Sequence, residues 1–131
     1  MPPNVQDHID QATKNERLLS WLREDDQFRD WVITVAFYAA LHYVDAYLLT
    51  QRKNPANHPR RIRTMLNDPN LADVCERDFE ELYALSRHTR YECYDPSPSE
   101  LEQTTDVHLA SIRNRVRSLL GSSVDWTDST P

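Results

Sequence analysis

The sequence predicts an all-α fold, a compact bundle of about five helices. Three observations carry this. The chain has one glycine, Gly121, among 131 residues, whereas a β-rich chain of this size uses several in hairpins and bulges. Apolar residues recur at helical spacing over most of its length. The run "DWVITVAFYAALHYVDAYLL", from Asp30 onward, is apolar around nearly its whole circumference, the pattern of a helix at the centre of its bundle.

The first predicted helix runs from Val5 to Arg23, with Ile9, Ala12, Leu19 and Leu22 as its apolar stripe. "REDDQ" is a polar break in which Asp26 is placed to cap the next helix. The second, the central one, runs from Gln27 to Lys53, where Ala36, Ala39 and Ala40 let neighbouring helices approach closely. "NPANHP" is a loop stopped by two prolines, and a short third helix covers Arg60 to Leu66. After the turn "NDPN", the fourth runs from Ala72 to Tyr94, with Cys75, Phe79, Leu82, Ser86, Thr89 and Cys93 on the core stripe. "DPSPSE" ends it. Ser99 or Ser97 starts the fifth, which continues to Leu120 with Leu101, Val107, Leu109, Ile112, Val116 and Leu119 as apolar positions. This gives a single domain over residues 1–120 and a C-terminal tail over residues 121–131, after a Gly stop.

The formal net charge of −6 opposes indiscriminate attraction to nucleic acid or anionic membrane, without excluding a local basic groove. The start "MPPNVQDHID" has no apolar core, so no signal peptide is expected. His42 and Asp45 interrupt the most apolar segment, which argues against a membrane span. Cys75 and Cys93, eighteen positions apart in one predicted helix, would lie about 27 Å apart, beyond disulfide reach. Both are expected as reduced core thiols of a cytoplasmic protein. The histidines His8, His42, His58, His88 and His108 show no paired metal-ligand spacing. There is no glycine-rich phosphate loop and no nucleophile elbow. No metal or other cofactor is expected.

The chemistry concentrates in "LYALSRHTRYECYD", residues 82–95. At about 100° per residue, Glu80, Tyr83, Arg90, Tyr91 and Tyr94 fall within about 60° of Arg87, away from the core stripe. Three tyrosines and two arginines on one face suit an interface or a functional groove, since both residue types are enriched at interfaces and stack on each other. The alternative is a face packed on a neighbouring helix with its arginines snorkelling outwards.

"FYAALHYVDAYLL", then "HPRRIRTML", then "FEELYALSRHTRYECYD" resemble the HEPN domain family (higher eukaryotes and prokaryotes nucleotide-binding) over residues 5–120. The resemblance implies a compact helical bundle, a homodimer, and a relation to metal-independent endoribonucleases and toxins. Their site combines an Arg, four to six intervening residues and a His; a toxin subset places a polar residue after the Arg and a Tyr two positions beyond the His. Arg87 matches the Arg, His88 the polar neighbour and Tyr94 the Tyr. Glu92 stands where the His belongs. Metal-free RNA cleavage needs a group to take the 2′-hydroxyl proton and another to protonate the leaving oxygen. Histidine suits both near neutral pH, whereas an ionised Glu repels the phosphate.

The sequence therefore nominates Arg87, His88 and Glu92 as a degenerate catalytic set, with Tyr83, Arg90, Tyr91 and Tyr94 as binding residues. The expected function is a homodimeric binding module for RNA, a nucleotide or a partner protein, with weak or no ribonuclease activity. The alternatives are an active ribonuclease or toxin using His88 or His42 with Arg87, and a protein-binding helical adaptor. In related toxin systems the partner is often an antitoxin-like nucleotidyltransferase. His42 reads first as a core histidine. His58, Arg60, Arg61 and Arg63 read as a solvated helix start or a phosphate contact. "IRNRVR", residues 112–117, reads as the charged outer face of the fifth helix.

Overall fold

Five helices succeed one another in the computed structural model, which describes residues 1–126. They are α1 (Val5–Leu22), α2 (Arg29–Thr50), α3 (His58–Leu66), α4 (residues 72–91) and α5 (residues 98–120). The fold is all-α, as the glycine scarcity and helical spacing predict, and no strand occurs among the described residues. Side chains set the helix starts. Asn4 and Asp7 form a capping box on α1, and Ser97 and Glu100 form another on α5; each offers the free first-turn N–H groups an acceptor. Asp25, rather than Asp26, caps the single 3₁₀ turn Asp26–Phe28 that leads into α2. Asn57 caps α3 two residues earlier than expected, with Pro59 in the first turn, where no N–H is needed.

α2 is the core, as its all-round apolarity predicts: Val32, Ile33, Ala36, Phe37, Ala39, Ala40, Tyr43, Val44, Ala46 and Leu48 are almost wholly buried. Residues Asp26–Thr50 are long and apolar enough to cross a membrane by composition, and 72% of their most apolar window is buried inside the fold. The expected core stripe of α4 is buried from Cys75 through Thr89.

Cys93 departs from it. α4 ends at Tyr91, Glu92 leaves helical geometry at φ −122°, and Cys93 takes a left-handed φ of 53° and is exposed. The chain must turn there to reach Pro96 and the cap of α5, and a residue past the turn no longer follows helical periodicity. Cys75 is buried, and its thiol is pushed up to about 12, first by burial and then by the charges of Glu80 and Glu76. Thiol titration of the native protein is expected to modify Cys93 alone, with Cys75 reacting only on unfolding. Rapid reaction of both thiols would contradict this packing.

Two widened π-helical turns were not foreseen, Cys75–Phe79 in α4 and Gln103–Leu109 in α5. An extra residue in a turn rotates the C-terminal part of a helix relative to its N-terminal part. In α5 this leaves Val107 47% exposed, while Leu109, Ile112 and Val116 are buried. The two turns face each other through His108, whose Nδ1 donates to the wholly buried Asp78 at 2.9 Å; Arg77 Nε donates to the other Asp78 oxygen at 3.1 Å.

The segment expected as a tail docks through Trp126. Trp126 Nε1 donates to the Gly121 carbonyl, Arg117 lies over its ring, and Asp125 exchanges two hydrogen bonds with Gln6 of α1. The rest of that expected tail, residues 127–131, lies outside the described residues.

α1 and α2 meet at a histidine pair, with the His8 and His42 Nδ1 atoms 3.0 Å apart. One ring must donate and the other accept, so protonating both removes the acceptor. Burial, then the His8 ring, holds His42 below its ordinary value of 6.5. A histidine depressed in the fold contributes stability at pH above its unfolded value, and that contribution is lost as pH falls through the folded value. Stability is expected to fall as pH drops through about 6.5 toward the lower folded value, by at most about 1.4 kcal/mol per pH unit for one such site. His42→Gln should reduce the dependence, leaving the share of His58, which the fold also depresses. Urea unfolding at several pH values checks it, and a wild-type profile flat over that window sinks the idea.

Candidate phosphate-binding cleft

The exposed face of α4 meets α3 and α2 in a cleft of about 330 Å³ lined by His58, Tyr83, Arg87, Arg90 and Tyr91, with no carboxylate among them. Helical spacing brings the four α4 residues together, as predicted. His58 comes from the first position of α3, which the Asn57 cap fixes. Behind the cleft lies the wholly buried Phe37 of α2, with ring centroids 5.5 Å from Tyr83 and 5.3 Å from His58; His58 and Tyr83 are 5.2 Å apart.

The two arginines are held differently. Arg90 is fixed: its Nε and one terminal nitrogen donate to the Ser86 carbonyl and hydroxyl, and the other terminal nitrogen donates to the Tyr38 hydroxyl. Its guanidinium also lies over Tyr91, 5.2 Å from the ring centroid. Arg87 is exposed. Its guanidinium lies 5.8 Å from the Tyr83 centroid and 5.9 Å from that of Tyr91. It has no ion pair and no hydrogen bond among the described residues. Its five donors are free for two oxygens of a phosphate.

His58 is locked from behind. Arg61 is buried and grips Asp45 with two bonds, 2.7 and 3.0 Å long. Its remaining terminal nitrogen lies 2.8 Å from His58 Nδ1. Guanidinium only donates, so His58 Nδ1 must accept and the ring proton sits on Nε2. Burial, then the charges of Arg61 and Arg90, hold His58 below its ordinary value of 6.5. The ring is thus a neutral Nε2–H donor, with no lone pair left to take a proton from a substrate.

The remaining nominated residues lie elsewhere. His88 points about 100° away from Arg87, as helical geometry requires, and borders a different cleft with Glu81, Glu100 and His108. Its Nδ1 bonds Glu92 at 2.8 Å, and its ring stacks on Tyr94 with centroids 4.2 Å apart. The Tyr94 hydroxyl donates to Glu100, a bond that raises the tyrosine and lowers the carboxyl. Because α4 stops at Tyr91, Tyr94 leaves the Arg87 stripe on which continuous periodicity placed it. His42 pairs with His8 and does not line the Arg87 cleft. Sequence reading weighed His58 as a phosphate contact in a basic patch with Arg60, Arg61 and Arg63, but did not join it to Arg87. The signal for His58 was the cap "NHP", but its approach to Tyr83 is tertiary. Among the described residues no group of three His, Cys, Asp or Glu side chains could hold a metal.

The cleft therefore offers an unpaired guanidinium, a fixed second one, a neutral imidazole N–H and tyrosine faces. That set can hold a phosphate and stack a base beside it. Comparison with protein-family models, with curated proteins and with solved structures gives no match.

Proposed function

We propose that this chain is a HEPN-like homodimeric module that binds the phosphate of RNA or of a nucleotide at the Arg87 cleft, with weak or no ribonuclease activity. One observation carries the reading: Arg87 is unpaired beside a histidine that Arg61 holds as a donor. Binding needs donors and positive charge, which the cleft supplies. Cleavage by the 2′-hydroxyl route needs a base, and the His58 geometry withholds one. His88 is the available imidazole for the ribonuclease alternative, but it faces another cleft. The reading places the protein in the cytoplasm, away from membranes, with the exposed Tyr91 and Arg87 near the two-fold axis of the dimer.

The test titrates pure protein with uridine monophosphate, followed by tyrosine fluorescence, and incubates it with total RNA in EDTA. Saturable binding with intact RNA is expected, and light scattering should give a dimer at tens of micromolar. Efficient RNA cleavage lost on His88→Ala would replace this reading with the ribonuclease one. Absence of binding to nucleotide and RNA alike would leave the protein-binding adaptor.

A further inference from the structure

A second cleft, on the outer face of α3, takes no part in the site above. It has a volume of about 390 Å³, and Lys53, Arg60, Arg63, Thr64 and Asn67 line it without a carboxylate. All three cations are exposed. None has a side-chain hydrogen bond, ion pair or ring contact among the described residues.

Acidic residues outnumber Lys and Arg by 21 to 15, and Arg23, Arg29, Arg61, Arg77, Arg113 and Arg115 each have an acidic partner. Lys14 and Arg52 stand alone without one among the described residues; this cleft is set apart by gathering three such cations with no carboxylate in its lining. Gathering three cations without an anion costs repulsion, which a bound polyanion relieves.

The placement limits what the polyanion can be. On α3, His58 faces the first cleft, while Arg60, Arg63, Thr64 and Asn67 lie on the opposite side at about 100° per residue. A helix with side chains is about 10–12 Å across, so one phosphate cannot touch both clefts. A chain of phosphates can. Tyr91 and Tyr38, 71% and 37% exposed, stand beside the first cleft with the Arg90 guanidinium over each ring, so stacking there is on exposed tyrosine surface next to a cation. Such surfaces take unstacked bases, which a duplex does not offer. We infer that single-stranded nucleic acid held at the Arg87 cleft continues around the N-terminal end of α3 and seats its next phosphates on Lys53, Arg60 and Arg63. This rests on the phosphate reading of the Arg87 cleft and adds a second anchor to it.

The experiment measures binding of a labelled oligouridylate, about ten nucleotides long, by fluorescence anisotropy over a salt series, with uridine monophosphate titrated in parallel. Arg60→Gln/Arg63→Gln is the test variant; both side chains are exposed and unpaired, and circular dichroism checks that the helices persist. The variant is expected to weaken oligonucleotide binding at least about tenfold and to reduce the slope of log K against log salt by about 0.7 for each phosphate no longer neutralised. Mononucleotide affinity should stay unchanged. Equal oligonucleotide affinity and slope in variant and wild type would overturn the second anchor while leaving the Arg87 reading intact. Failure of wild type to bind either probe would overturn both. A polyglutamate of equal charge that displaces the oligonucleotide as well as unlabelled oligouridylate does would reduce the cleft to a general basic patch and also overturn it.

Discussion

Asp45→Ala is expected to lower the free energy of unfolding by about 3–5 kcal/mol, because it strands a buried cation. The Arg61 and Asp45 side chains are 8% and 15% exposed, and the pair is bidentate. Arg61 cannot deprotonate to escape, and its other neighbour, His58, is neutral and already accepting. A domain of this size has about 5–15 kcal/mol in total, so the loss would be a large share of the stability. The double variant Asp45→Leu/Arg61→Met should recover most of it, since the buried charge pair is then gone altogether. Urea unfolding of the wild type, Asp45→Leu, Arg61→Met and the double variant forms the cycle, with Asp45→Ala measured beside it. A cost for Asp45→Ala below about 1 kcal/mol would mean that Arg61 finds water or another acceptor.

Arg87→Ala is expected to weaken phosphate binding by about tenfold to a hundredfold, the range for losing hydrogen bonds to a charged group at about 1.5–3 kcal/mol. Stability should scarcely change, because the guanidinium is exposed and has no ion pair or hydrogen bond to lose. Arg87→Lys should restore only part of the affinity: an ammonium keeps the charge but not the planar fork. The split between affinity and stability is the informative part, and calorimetric titration beside a thermal melt measures both. Unchanged affinity in Arg87→Ala would remove the anion site from this cleft.

How much of the site was legible in the sequence depended on how far each contact reaches along the chain. Tyr83, Arg87, Arg90 and Tyr91 were legible as one face because they share a regular helix, and helical spacing alone aligns them. Tyr94 was misplaced by the same rule, since Glu92 and Cys93 break the helix before it. Arg61 read as part of a basic patch on α3, yet it is buried on Asp45, sixteen residues away. No local pattern distinguishes an arginine that meets a buried carboxylate from one that meets water. Val107 read as one of the apolar positions of the fifth helix, yet it is 47% exposed, because periodicity assumes 3.6 residues per turn, which the π-helical turn of α5 violates.

By itself the sequence determined the all-α class, the central position of α2 and the face that Arg87 occupies. Those rest on periodicity, the lack of glycine and capping side chains, which act within a few residues of one another. The tertiary structure alone decided that His58 joins that face, that Asp45 holds Arg61 where it fixes the His58 proton on Nε2, and that the side of α4 carrying His88 meets α5 in another cleft. The reason is physical. A histidine's role depends on which of its nitrogens is engaged and by what; Arg61 is only three residues from His58, but it is Asp45 of α2, sixteen residues from Arg61, that holds the guanidinium in place.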